Sequence, residues 1–269
     1  MGSDLALYVT TAAYAAAAAL YFAGVAGREA SAILTERAHR TLGLAVLAHA
    51  VYIIMASVVA RVCPVLSLHF FLSMAALAAS ALYLLVRRRA GIDALGAYLA
   101  PIALTLVLGS HLMGVPRREV RGALVALHVT VNVIGDALFL LAAVAAVLYL
   151  VEHGRIKGKH PSGIVGRMPA LDPLDRAEHW FLLTGFVLLT IGIATGVLKA
   201  RQIAETSTGA AVRAALAWAS WLLFGGVVAA RNLFGWRGRR AAWGTIAGFV
   251  FAAAVVIAYA IERSSGSGP

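Results

Sequence analysis

The chain offers eight apolar stretches of about twenty residues or more, with little sequence between them, and each is long enough for an α-helix to cross a hydrocarbon core of about 30 Å. They lie near residues 4–26, 41–60, 66–86, 92–110, 122–151, 178–200, 213–231 and 241–261. Strands of a membrane barrel alternate apolar and polar residues in segments of about ten. The run 137–151 is instead apolar on every face, so helices follow, because lipid offers no partner to an open backbone. The expected fold is an all-α integral membrane protein, one bundle of eight transmembrane helices over residues 1–262 with a disordered Ser/Gly tail over 263–269. Of the 269 residues, 61% are hydrophobic and 13% charged, which leaves no soluble domain.

The net charge of +11 would suggest nucleic acid in a soluble protein. Here the basic residues flank apolar runs, where they set topology and face anionic lipid, and nucleic acid is not expected as a partner. Eight spans put the first, third, fifth and seventh connections on one side, which carries fifteen Lys and Arg against eight on the other. The positive-inside rule then places both termini outside the cytoplasm, in what reads as a bacterial plasma (inner) membrane. The longest connection, Glu152 to Arg176, is expected to be an ordered cytoplasmic loop. The single Cys63 excludes an internal disulfide, a CxxC redox pair and a CxxCH haem attachment within the chain. HExxH, P-loop and GxSxG motifs are missing from the sequence, so it is not expected to be an enzyme.

Ionisable groups inside a span are costly unless paired, which makes them functional candidates. His49 lies in the second span, about 13 Å from Arg40 and 18 Å from Arg61 by helical rise. His128 lies about 9 Å into the fifth. Each is either a packing histidine satisfied by hydrogen bonds or a ligand. Imidazole is an axial ligand of haem iron, and a porphyrin between two helices needs one histidine from each side. His49 and His128 are therefore candidate axial ligands, with His69 and His111 at outer span ends in reserve. His128, Asn132 and Asp136, spaced four apart, share one helix face. That stripe either holds the bundle together or relays protons. His39, His153, His160 and His179 read as solvated boundary residues. Gly185, Gly192 and Gly196 read as a close helix crossing, and Trp218 and Trp221 read either as packing or interface residues or as rings that stack on a porphyrin.

The second half of the chain is more specific. MPALDPLDRAEHWFLLTGFVLLTIGIATG, from Met168 to Gly196, GWRGRRAAW, from Gly235 to Trp243, and LHVTVNVIGDALFLLAAVAAVLYL, from Leu127 to Leu150, resemble the cytochrome c assembly protein family, the haem-handling family that includes CcsA and CcmC. LAHAVYI around His49 is similar to its smaller HemX-like (YpjD-like) branch. The resemblance implies that His128 matches an external haem-ligating histidine, that His49 matches a histidine of the HemX-like branch, and that the cofactor is b-type haem. In a haem-binding reading Asn132 and Asp136 are candidates to orient a ligand, and Arg117, Arg118 and Arg121, near the outer mouth, either meet propionates or are topology-setting charge.

Departures are equally informative. Where the synthases carry a tryptophan-rich loop, this chain reads ARQIAETSTGAAVR, Ala200 to Arg213. The family's span histidine falls near Ala229, and its later external histidine has no counterpart. The expectation is a non-enzymatic haem-handling protein that does not itself attach haem, with membrane lipid, haem and other cytochrome c assembly proteins as partners. Two alternatives stay open: a HemX-type regulator of tetrapyrrole synthesis acting on glutamyl-tRNA reductase, and a small-molecule or ion transporter motivated by Asp136.

Overall fold

The computed structural model describes residues 2–26, 31–64, 70–112, 122–158, 170–203 and 208–264. These form α1 (Gly2–Ala26), α2 (Ser31–Ala60), α3 (Phe71–Ala90), α4 (Leu95–Leu112), α5 (Ala123–Lys157), α6 (Leu171–Ile203), α7 (Thr208–Phe234) and α8 (Arg239–Ser264). All eight are long and apolar enough to cross a membrane. The chain is a multi-pass, all-helical membrane protein.

Several helices outrun their apolar stretches. α2 starts at Ser31 rather than near 41, and α5 continues to Lys157. The apolar run marks what lipid covers, whereas the helix persists into the headgroup region on strong helix formers and pairs such as Glu152–Arg155 at 2.8 Å and Glu36–Arg40 at 3.4 Å. The connection expected from Glu152 to Arg176 accordingly narrows to residues 158–170, of which 159–169 lie outside the described residues.

α5 is the axis of the bundle, packing on α3, α4, α6 and α8. Residues 137–146 are buried on every face, which explains their unbroken apolar character. α1 packs on α2 and α4, α2 also on α3, and α7 joins α6 to α8. Small residues let the bulky ones in: Phe139 of α5 lies over Gly185 of α6 and stacks on Phe224 of α7 with ring centroids 3.9 Å apart.

One clamp fixes the end of the bundle where α6 begins. Asp175 accepts hydrogen bonds from both terminal nitrogens of Arg231 and, at 2.8 Å, from the backbone N–H of Gly238. Gly235 and Gly238 adopt φ of 66° and 65°, the left-handed region that favours glycine. A Cβ at Gly238 would also strike the Tyr149 hydroxyl. The LDPLDRAEHW and GWRGRR segments are thus two sides of a single tie.

Candidate functional site between helices five and six

Gly192 and Gly196 of α6 form a notch facing α5. A Cβ on Gly192 would collide with the Asn132 amide, and one on Gly196 would come within 3.1 Å of Cε1 of His128. The GxxxG pattern is therefore more than a close crossing, because it makes room for two polar side chains. His128 places Nδ1 at 3.0 Å from the Gly192 carbonyl and 3.1 Å from Thr195 Oγ1. A carbonyl only accepts, so Nδ1 carries the proton. Thr195 uses its own proton on the carbonyls of Ile191 and Gly192, both at 2.9 Å, and presents a lone pair to His128. Nε2 then carries the lone pair, which the Asn132 amide approaches only at a long 3.4 Å. Asn132 Nδ2 also donates to the His128 carbonyl at 2.7 Å.

The stripe expected on α5 is thus divided. His128 and Asn132 act together, while Asp136, half-buried one turn deeper, makes no hydrogen bond among the described residues.

His49 occupies a different niche. It is fully buried, with Nδ1 at 3.1 Å from the Tyr14 hydroxyl and Nε2 at 2.7 Å from Ser73 Oγ. Both ring nitrogens are engaged, as in a satisfied buried histidine. The structure does not bring His49 and His128 together, because α3 stands between them. Ser73 faces His49, whereas Phe71, Met74 and Ala78 of the same helix pack on Val125, Val129 and Val133 of α5.

The other expectations fall out individually. His111 is exposed at the end of α4, and His69, His160, Arg117, Arg118 and Arg121 lie outside the described residues. Trp221 donates its indole N–H to Thr190 Oγ1 at 3.0 Å and stacks on Phe186, with Trp218 edge-on to it, which is interhelical packing. His153 and His179 are half-buried. His39 corrects the expectation of a solvated boundary residue, since only 4% of it is exposed. The extension of α2 to Ser31 puts it in the bundle interior rather than at a helix end.

Glu178 was missed. It is fully buried on α6 and accepts a 2.7 Å hydrogen bond from Thr245 Oγ1. Its position at the expected edge of the sixth span disguised it as an interface residue. No group of three or more His, Cys, Asp or Glu able to hold a metal ion is found among the described residues.

Curated relatives match parts of the chain. HemX of Brevibacillus brevis is 26% identical over 76 residues, 28% of each chain. CcsA of Prochlorococcus marinus is 35% identical over 78 residues, 29% of this chain and 25% of CcsA. An uncharacterised 28.8 kDa protein of Azospirillum brasilense is 32% identical over 125 residues, 45% of each chain. This chain therefore aligns with less than half the length of the curated relatives it matches, and no solved structure matches it. The family model described as cytochrome C assembly protein spans residues 35–268, which takes in the α5–α6 notch and the Asp175 clamp alike. The chain belongs to the cytochrome c assembly protein family.

Proposed function

We propose that this protein is a non-enzymatic, membrane-embedded haem-handling protein that binds b-type haem through Nε2 of His128. One observation carries the reading: the Nδ1–H of His128 is held by the Gly192 carbonyl, 3.0 Å away. A hydrogen bond from one ring nitrogen to a backbone carbonyl fixes the tautomer, aims the ring and raises the basicity of the other nitrogen. Haem supplies an iron that accepts this nitrogen. The protein's own residues do the rest: Gly192 and Thr195 orient the imidazole, Gly196 leaves it space, and Asn132 borders the coordinating edge. His49 has no ring nitrogen to spare in this arrangement. A second ligand would come from His111, exposed at the end of α4, or from His69, the other reserve histidine, which lies outside the described residues. The charge bias puts this end of α4 outside the cytoplasm.

The test is an optical spectrum of detergent-purified protein, as isolated and after addition of haemin, oxidised and dithionite-reduced. Wild type is expected to give a b-type spectrum that His128→Ala loses and His49→Ala keeps. A wild-type protein that binds no haem overturns the reading.

A further inference from the structure

α4 and α8 each pack more on α5 than on one another, and between them lies a half-open groove of about 200 Å³. Leu140, Ala143 and Val144 of α5 are its buried floor, and Ala143, with only a methyl group, keeps that floor low. Ile102 of α4 and Ile246 and Phe249 of α8 are its walls. Tyr98 and Val147, both exposed, form the rim. Only carbon faces into it.

Packed interiors leave few voids larger than a water molecule, and an apolar cavity of about 150 Å³ is already large enough to take up benzene. Water finds no hydrogen-bond partner on such a lining, so the groove suits hydrocarbon. Its depth says which hydrocarbon. The start of α4, the end of α5 and the start of α8 lie at one end of the bundle. Counted inward from the ends of their apolar runs at Ile92, Val151 and Ala241, the lining begins about 6 Å deep at Val147 and reaches about 16 Å at Leu140. That interval is the acyl region of a single leaflet, half of a core of about 30 Å.

The same end carries positive charge that the protein does not neutralise. Arg239 stands seven residues before Ile246, two turns along the same face of α8, and just outside the apolar run, at the level of the headgroups. It is exposed and makes no ion pair among the described residues. Arg155 and Arg231, at the ends of α5 and α7, are instead paired with Glu152 and Asp175. Trp236 and Trp243, exposed before and after Arg239 in the chain, are the kind of ring that settles at a membrane interface.

We propose that the groove between α4 and α8 is a binding site for one anionic glycerophospholipid, with an acyl chain lying over Ala143 and the phosphate meeting the guanidinium of Arg239. Apolar lining at acyl depth selects the chain, and an unpaired cation at the mouth selects the charge of the headgroup, as basic pockets between spans do. The bound chain fills a space that the fold leaves open and bridges two helices that otherwise meet mainly through α5. The groove shares no residue with the α5–α6 notch, so the lipid site and the haem reading stand or fall separately.

Native mass spectrometry of the full chain in detergent, equilibrated with equal amounts of phosphatidylglycerol and phosphatidylcholine bearing the same acyl chains, tests it. Wild type is expected to retain one phosphatidylglycerol at about fivefold the occupancy of phosphatidylcholine, the weight of one arginine at an anionic lipid surface. Arg239→Gln is expected to bring the two lipids level, and Ala143→Leu, which raises the floor, to lower retention of both several-fold. His128→Ala, outside the groove, is expected to keep the wild-type preference. Equal retention of the two lipids by wild type overturns the proposal, since lipid at an ordinary helix surface behaves that way. So does displacement of phosphatidylglycerol by excess inorganic phosphate, which would make the site one for free anion, or a dimer mass in place of the lipid adduct. Where Ala143→Leu does not fold, the exposed Arg239→Gln decides: an undiminished preference for phosphatidylglycerol in that variant refutes the assignment.

Discussion

At the scale of single residues, depth in the membrane does not separate a ligand from a packing group; the partners of the two ring nitrogens do. His128 spends one nitrogen on a carbonyl and meets at the other only the long 3.4 Å approach of the Asn132 amide, whereas His49 spends both at 3.1 Å or less. Gly196→Leu, which fills the notch beneath His128, is expected to weaken haem binding at least about tenfold, as loss of an orienting contact does. Haemin titration of the purified variant measures this. Asp136 touches neither histidine through a hydrogen bond, so Asp136→Asn is expected to leave the reduced and oxidised haem spectra as in wild type. A lost spectrum in that variant would place the carboxyl in the ligand set.

At the scale of elements, the bundle is organised by notches and ties more than by apolar matching. Every helix is apolar on much of its circumference, and lipid solvates an apolar face as well as another helix does. Neighbours are chosen where small residues admit a side chain or where a buried polar group finds its complement. Asp175 is the strongest such tie, joining α6 to the end of α7 and the turn into α8. Its ion pair with Arg231 has side chains only 15% and 7% exposed. Asp175→Ala leaves the guanidinium without its carboxylate and should cost about 3 kcal/mol, read as a lower midpoint of thermal unfolding in detergent. The change should spare the tautomer of His128, which sits near the opposite end of α6.

At the scale of the whole molecule, orientation rests on charge. Fifteen of 23 Lys and Arg fall on one side by sequence, and if positive loops stay in the cytoplasm the expected orientation turns the α5–α6 notch towards the other side. Cys63, the sole cysteine of the chain and exposed just past α2, reports on this directly. A membrane-impermeant maleimide is expected to label it in intact cells. Labelling only after the membrane is opened would reverse the topology.

Much of this molecule is legible in one dimension. The number of spans, their helical character and the identity of the polar residues inside them follow from length, hydropathy and the absence of backbone partners in lipid. So do the segments that carry the family resemblance. The mutual positions of those residues are not legible there. Periodicity places His128 and Asn132 on one face of their own helix, but nothing in an all-apolar pattern names the helix that faces them. Only the fold shows that Gly192 and Thr195 hold His128, that α3 parts it from His49, and that Asp175 meets Gly238. The physical reason is that hydrophobic patterning encodes burial against water. In a membrane that signal is spent on insertion, and tertiary contacts are left to close packing at glycines and to hydrogen bonds between residues distant in the chain.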